Sequence, residues 1–430
     1  MTRVVIAGGG QAGSSAALKL RGLGFHGEIV LIGDEPIAPY QRPPLSKSYL
    51  LGKSAPDALL IRPVSLYRDK NIALRLGCRV DRILAQARRI ETSTGGLGYD
   101  HLILATGAKP VRLDPSVGGA LGNVFTVRTI EDIDRIAPLF QAGRRLLVVG
   151  GGYVGLEAAA VAAQSGLRVV LVEMADRILK RVASAETAAY FCALHARHGV
   201  RILESTAIRQ LEGNGTAAYA RLSDGEELAV DLVIVGIGVK PEVALANSAG
   251  LDVDDGIKVN EFGRTSSEGI WAAGDCASFP YRDKRIRLES VPHAIDHAET
   301  VAANICGAQR PYIASPWFWS DQFDVKLQIA GLNANYDRVV VRDAGRPGAA
   351  SHWYFRGNTL LAVDAMNDAR SYMIAKRLIA SGLSPDPRSV GSPSTDLSHF
   401  LKSVAPARAL QHCVPAAGAD HDGAGSSSQA

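Results

Sequence analysis

The first half of the chain uses one pattern of apolar and polar positions twice. Val4, Val5, Ile6 and Ala7 lead into Gly8-x-Gly10-x-x-Gly13 and then a helical pattern. Leu146, Leu147, Val148 and Val149 lead into Gly150-x-Gly152-x-x-Gly155 and a second helical pattern. Short, unbroken apolar runs bounded by turn signals predict buried parallel strands. Further strands are expected at 29–32, 102–106, 169–172, 201–203 and 232–235. Alternating stretches around 75–80 and 89–92 predict half-buried strands, and Gly95-Gly96 predicts a turn. Ala105-Thr106-Gly107 closes the first block as Val235-Gly236-Ile237-Gly238 closes the second. The pattern predicts an internal repeat of one strand–loop–helix–strand unit.

The glycine spacing says what the unit binds. The first Gly of each loop permits a tight turn, the second leaves room for a diphosphate, and the third lets helix and strand pack closely. Unpaired N–H groups at the helix N-terminus then meet the phosphates, where the helix dipole favours negative charge. Each loop has an acidic partner about 20 residues on. Asp34 and Glu35 follow the strand at 29–32, and Glu173 follows the one at 169–172. Carboxylates there accept hydrogen bonds from a ribose, and Glu173 would repel an adenosine 2′-phosphate. Arg177, four residues on, would soften that preference. Two dinucleotides on one chain suit electron transfer from one to the other.

The rest of the chain changes register. Gly269-Ile270-Trp271-Ala272-Ala273-Gly274-Asp275 reads as a short strand ending in Gly-Asp, followed by a helix at about 292–306. The simplest arrangement returns this stretch to the first block, with the second block inserted into it. From about Tyr312, strand signals at 325–329, 338–342, 351–356 and 360–365 precede a helical segment at 369–381. The expected division is 1–113 with 239–311, 114–238, a third unit at 312–404, and a tail at 405–430 whose Ala, Gly and Ser predict disorder.

Bulk properties exclude several classes. A hydrophobic fraction of 47% and a charged fraction of 21% are ordinary for a globular protein. The formal charge of +4 does not point to nucleic acid. The longest apolar stretch, 158–163, is far too short to span a bilayer. Met1-Thr2-Arg3 runs straight into the first strand, so no signal peptide fits, and a cytoplasmic location is expected. The five cysteines, Cys78, Cys192, Cys276, Cys306 and Cys413, are scattered without a Cys-x-x-Cys pair. This argues against a disulfide framework, a zinc ribbon, an iron–sulfur cluster and a redox dithiol. His293 and His297 are four apart but lack an evident third metal ligand.

Five segments carry a resemblance. They are Tyr40-Gln41-Arg42-Pro43-Pro44-Leu45-Ser46-Lys47, Leu104-Ala105-Thr106-Gly107, Gly150-Gly151-Gly152-Tyr153-Val154-Gly155-Leu156-Glu157, Ala273-Gly274-Asp275 and Pro316-Trp317-Phe318-Trp319-Ser320-Asp321-Gln322. With them the chain, up to about Val404, resembles the FAD-dependent NADH:ferredoxin reductases of the putidaredoxin-reductase type and of aromatic-ring dioxygenase systems. The resemblance implies an α/β fold with two Rossmann-like dinucleotide-binding domains on the glutathione-reductase-like plan, plus a C-terminal α+β domain.

It also implies roles. FAD would occupy the first loop, with Gly8, Gly10, Ala12 and Gly13 at its diphosphate and Asp34 or Glu35 at its ribose. Val80 would meet the adenine end through its backbone. Arg42, Ala105, Thr106, Gly107 and Arg128 would line the flavin site. Gly274 and Asp275 would hold the ribitol and phosphate region, and the Val291 backbone would reach the pyrimidine edge. Lys47 would contact the flavin ring and pair with Glu157, the two serving as catalytic residues. NADH would use Gly150, Gly152, Tyr153, Val154, Gly155, Glu173 and Gly238. Trp319 would face either the flavin or the partner. That partner would be a [2Fe-2S] ferredoxin, acidic, serving a cytochrome mono-oxygenase or ring-hydroxylating dioxygenase. Lys53, Arg62, Arg310 and Lys402 are candidate docking charges, and the chain is expected as a monomer or weak dimer. Three alternatives stay open at this point. One is an NADH oxidase or peroxidase, some of which use a single redox cysteine. A second is a flavoprotein with a mainly binding or signalling role, like the apoptosis-inducing flavoproteins. The third is a reductase that drives a fused or separate non-haem system such as a nitrite or rubredoxin pathway.

Overall fold

The structure, a computed structural model, describes residues 1–403. The tail expected to be disordered lies outside the described residues.

The first apolar runs build a five-stranded parallel sheet. Its order is Ile270–Ala272, His101–Leu104, Arg3–Ala7, Glu28–Ile32, Ile72–Arg75. Val4, Val5 and Ile6 are wholly buried because helices and loops cover both faces, which is why the strand lacks apolar–polar alternation. From Arg3–Ala7 the chain first builds outward to Ile72–Arg75. It then returns to the other side with His101–Leu104. The order therefore reverses beside Arg3–Ala7, and a crevice opens at the strands' C-terminal ends, where ligands of such sheets bind.

The second block repeats the plan. Arg201–Leu203, Arg168–Val172, Arg145–Val149, Leu232–Val235 and Val124–Phe125 form a parallel sheet in that order. Each block also carries a three-stranded antiparallel sheet just before its returning strand. These are Val80–Leu84, Arg89–Thr92 and Gly95–Gly98 in the first, and Ile208–Glu212, Tyr219–Leu222 and Glu227–Ala229 in the second. Where the chain leaves and re-enters the first block, Ala108–Pro110 pairs with Val239–Pro241.

Two local readings change. Gly95-Gly96 is strand, not turn: Thr92 pairs with Gly95, so the reversal falls on Ser93 and Thr94, and the Thr92 hydroxyl donates to the Gly95 carbonyl at 2.6 Å. The stretch around 75–80 is the end of one strand and the start of another, separated by a turn in which Gly77 has φ +62°.

The third unit is a five-stranded antiparallel sheet, ordered Trp317–Gln322, Val325–Gly331, Thr359–Met366, Ala349–Arg356, Arg338–Arg346. Its edge strand Trp317–Gln322 is legible in the sequence only as a motif. The helix Ala369–Ala380 places Tyr372, Ile374, Ala375 and Leu378 against Trp353, Phe355 and Val363 on one face. On the other face Val325, Leu327 and Met366 join Leu156, Phe191 and Leu194 of the second block in one core.

Candidate functional site: two open glycine loops and a buried ion pair

The outer glycines of each loop are demanded by the protein itself. A Cβ on Gly8 would lie 2.1 Å from the Ala105 carbonyl oxygen, and one on Gly13 would lie 2.0 Å from that of Gly8. In the second loop a Cβ on Gly150 would lie 2.5 Å from the Gly236 oxygen, and one on Gly155 2.0 Å from that of Gly150. Those distances forbid any side chain.

The middle glycines differ. A Cβ on Gly10 would meet nothing within 4 Å, and one on Gly152 would find only the Gly236 oxygen, at 4.0 Å. Both are helix N-caps, of Gln11–Gly22 and Tyr153–Gln164, and neither offers a side-chain cap. Ser, Thr, Asp or Asn would be the better cap on local grounds. No acidic residue occupies either first turn. Space, free N–H groups and the positive end of the dipole thus converge on an anion's position, so the residues present fit a dinucleotide diphosphate at both loops.

Around the first loop, Glu35 accepts from the Tyr40 hydroxyl at 2.6 Å and from Arg42 Nη2 at 2.7 Å. Arg42 Nη1 also donates to the Arg128 carbonyl at 2.6 Å. Asp34 is exposed and open. Val80 is tied near the same end because the Gly77 and Cys78 amides donate to the Glu35 and Gly33 carbonyls. Gly274 stands so close to the helix start that a Cβ there would lie 2.9 Å from Ala12 Cβ. Asp275 follows it, 3.9 Å from Arg128 Nη2, and the Arg128 guanidinium lies 3.3 Å from where a Gly107 Cβ would be. Thr106 is committed to structure, its hydroxyl donating to the Glu242 carbonyl at 2.7 Å. Val291 opens the helix Val291–Ile305 next to its cap Ser290.

Burial pushes the Asp275 carboxyl up to about 6, against the pull of Arg128 and with help from Glu289. A carboxyl raised in the fold stabilises it fully below its unfolded value near 3.8. That contribution is lost as pH rises through about 6. Asp275→Asn is therefore expected to stabilise the FAD-free protein by about 3 kcal/mol at pH 7.5. The gain should shrink toward zero as pH falls to 4. Thermal melts across that range check it, and a pH-independent difference would refute the shift.

At the second loop, Glu173 is stitched to the backbone it serves. Oε2 accepts from the Gly151 amide at 2.7 Å and Oε1 from the Ala175 amide at 2.8 Å. Each oxygen keeps a second lone pair for a ribose. Arg177 does not face the site: its guanidinium donates to the Ala183 carbonyl at 2.9 Å and caps the turn beyond. It is therefore not placed to soften the repulsion expected of Glu173. Arg181, which no sequence motif marks, stands instead 3.3 Å from where a Cβ on Gly238 would project. Val154 is exposed in the first helical turn. Tyr153 packs its ring on Phe318, centroids 5.0 Å apart, and its buried hydroxyl finds no partner among the described residues.

Between the loops the structure brings Lys47 and Glu157 together. Lys47 Nζ lies 3.1 Å from Glu157 Oε1 and 3.2 Å from Asp321 Oδ2. Glu157 also accepts from Ser46 Oγ at 3.1 Å and Ser320 Oγ at 2.7 Å. The pair is sequestered, with side-chain exposures of 19% and 9%. Burial raises the Glu157 carboxyl, and Lys47 and the two hydroxyls draw it back. Ser46, Ser320 and Asp321 belong to the motif segments, but the sequence alone assigns them no role. A period-two reading of Trp317–Gln322 would have found two of them, since 318, 320 and 322 point one way and 317, 319 and 321 the other. Trp319 is half-buried, its ring 5.7 Å from that of Trp317. His293 donates to or accepts from the Tyr312 hydroxyl at 2.8 Å, and His297 stacks on the Tyr312 ring. Among the described residues no group of three or more His, Cys, Asp or Glu converges as a metal site.

Residues 2–298 match the pyridine nucleotide-disulphide oxidoreductase family, and 317–401 match the reductase C-terminal domain. The chain belongs to this family. It is 42% identical over 398 residues to rhodocoxin reductase of Rhodococcus erythropolis, covering 92% of this chain and 93% of that one. It is 39% identical over 410 residues to putidaredoxin reductase CamA of Pseudomonas putida, covering 93% and 97%. Among solved structures it matches a chain of the covalent putidaredoxin reductase–putidaredoxin complex with a TM-score of 0.90, 38% identity, and coverage of 93% and 98%. The fold class read from the sequence is borne out. Family members are FAD- and NAD(P)H-dependent oxidoreductases, as the two loops imply.

Proposed function

We propose that this chain is an FAD-dependent reductase that takes electrons from NADH and passes them singly to a [2Fe-2S] ferredoxin. That ferredoxin would serve a cytochrome mono-oxygenase or ring-hydroxylating dioxygenase. One observation carries the reading. The two loops that fit a diphosphate belong to different sheets, and the Lys47–Glu157 pair joins the segment after the first to the helix that begins at the second. Relatives named for rhodocoxin, putidaredoxin and ferredoxin reduction support the choice of acceptor.

The chain's own residues would do the following. Gly8, Gly10, Ala12 and Gly13 cradle the FAD diphosphate, with Asp34 and Glu35 at its ribose. Asp275, Gly274, Arg128, Gly107 and the Val291 backbone hold the remainder. Gly150, Gly152, Gly155 and Glu173 hold NADH, beside Tyr153, Val154 and Gly238. When bound, FAD supplies the conversion of a two-electron donor into single-electron steps. Lys47, held by two carboxylates, presents a fixed cation where negative charge accumulates on the ring. Trp319 borders that region. Glu173 favours NADH over NADPH through like-charge repulsion. A disulfide relay has no support here. The described cysteines, Cys78, Cys192, Cys276 and Cys306, are all free, and the first and third are buried.

Three finer points belong to the same reading. The ferredoxin is acidic and meets exposed cations such as Lys53, Arg62 and Arg310. The chain works as a monomer or weak dimer in the cytosol; no helix among the described residues is long and apolar enough to cross a membrane. The functional units are 1–113 with 239–311, 114–238, and the C-terminal unit from 312.

Steady-state NADH oxidation with and without two-iron ferredoxins tests the proposal. We expect strong stimulation by one ferredoxin, falling as salt is raised because the docking charges are screened. Equal turnover with oxygen alone would favour an oxidase instead.

A further inference from the structure

The Glu157 carboxylate has neighbours that the ion pair with Lys47 does not require. Ser320 Oγ donates to Glu157 Oε1 at 2.7 Å. Gln322 Nε2 donates to Ser320 Oγ at 3.2 Å. His195 Nε2 lies 2.9 Å from Gln322 Oε1. Ser320, Gln322 and His195 are all wholly buried. They come from two elements of different units, the helix Ala185–Arg197 and the edge strand Trp317–Gln322.

The donor inventory fixes the direction of every bond. The Gln322 amide nitrogen is spent on Ser320, so its oxygen faces His195 and must accept. His195 Nε2 therefore carries the ring proton, and Nδ1, which has no partner among the described residues, is bare. Ser320 accepts from Gln322 and so gives its own proton to Glu157. All three donors point toward the carboxylate. Aligned hydrogen bonds in a dry interior polarise one another, and they offset the cost of burying the anion at their end. The far end adds no charge at neutral pH, because burial holds His195 down to about 4.

We propose that His195, Gln322 and Ser320 are positioning residues for Glu157, a one-way donor chain that keeps its buried carboxylate ionised and, through it, holds Lys47 in place. The inference deepens the function proposed above and rests on it for the place of Lys47 at the flavin. The effect on Glu157 itself does not depend on that reading. The groups facing Glu157 are Lys47 and Ser46 from the Tyr40–Lys47 segment, Ser320 from the edge strand, and Asp321, which is bound to Lys47.

The test follows the Glu157 carboxyl carbon by NMR in the full-length protein as purified, labelled with carbon-13 at Glu carboxyls and assigned with Glu157→Gln. Ser320→Ala is expected to raise the Glu157 midpoint by about one pH unit, a tenfold gain in proton affinity. Gln322→Leu and His195→Phe should raise it in the same direction by about threefold in affinity. Ser320→Thr and His195→Gln, which keep a donor, should return it toward the starting value. The nitrogen-15 spectrum should show His195 protonated at Nε2. A midpoint unmoved by Gln322→Leu and His195→Phe, or a wild-type ring protonated at Nδ1, would overturn the proposal. So would lowered stability without a shifted midpoint, which marks a merely structural role. Failure of the function itself would show separately, as a protein that neither holds FAD nor oxidises NADH while its carboxyl titration is intact.

Discussion

Gly152→Glu is expected to give a protein that folds, holds FAD and is no longer reduced by NADH, with kcat/KM for NADH down at least about 100-fold. The reason is the emptiness beside this residue. A Cβ there meets nothing closer than the Gly236 oxygen at 4.0 Å, and φ is an ordinary −81°, so the side chain costs the fold little. It would instead fill the space left for a diphosphate and set a carboxylate against it at a helix N-terminus. Gly10→Glu is the mirror experiment, expected to yield a colourless protein of near-normal stability in its FAD-free form. Absorbance spectra, anaerobic NADH titration and melting curves of the two variants check both halves. If Gly152→Glu lost FAD, or Gly10→Glu kept it, the assignment of the loops would be reversed or wrong. Gly155→Ala would be far less informative, because its Cβ would lie 2.0 Å from the Gly150 oxygen and would damage the fold directly.

The second large effect is on stability. Lys47→Met removes the cation 3.1 Å from a carboxylate that is only 9% exposed. Breaking one side of a buried pair costs about 3–5 kcal/mol, because the remaining charge is left uncompensated. Glu157 is already raised by burial, and Lys47 is the leading influence drawing it back. Without that cation the carboxyl rises further and takes up a proton in the fold. A group raised in the fold contributes stability at low pH and loses it as pH increases. The Lys47→Met protein is therefore expected to lose stability relative to wild type as pH rises from 5 to 8. Adding Glu157→Gln should recover most of the loss, since the neutral amide needs no countercharge: its oxygen can accept from Ser320 Oγ while its NH2 donates to the Ser46 hydroxyl. A double-mutant cycle by denaturant unfolding at both pH values measures this. Additive losses would show that the two side chains are not coupled. The same variants matter for function, because this ion pair ties the Tyr40–Lys47 segment to the helix that opens the second loop.

Some of this site is legible along the chain and some is not, and the difference lies in the range of the interactions. Gly13 and Gly155 can be assigned because the clash each avoids is with a carbonyl five residues earlier in the same turn, whereas Gly8 and Gly150 are legible through the motif spacing although the carbonyls they avoid, Ala105 and Gly236, come from the end of the neighbouring strand. The strands stand out where both faces are buried, since an unbroken apolar run such as Val4–Ile6 must be covered on both sides. Trp317–Gln322 escapes detection as a strand because it is a sheet edge that mixes aromatic, hydroxyl and charged residues, each facing a different neighbour. Arg177 misleads because its nearness in sequence to Glu173 does not reveal that its fork is consumed by the carbonyls of its own turn.

The sequence by itself determined that two dinucleotide loops exist and where each begins, because the apolar run, the glycine spacing and the start of the helix are all written within about a dozen residues. Only the tertiary structure decided what surrounds the carboxylate of Glu157. Ser46 and Ser320 reach it across separations of 111 and 163 residues, and Asp321 reaches Lys47 across 274. No periodicity encodes such meetings. They follow from packing an edge strand of one unit against a helix of another, where a buried charge must find every donor it needs.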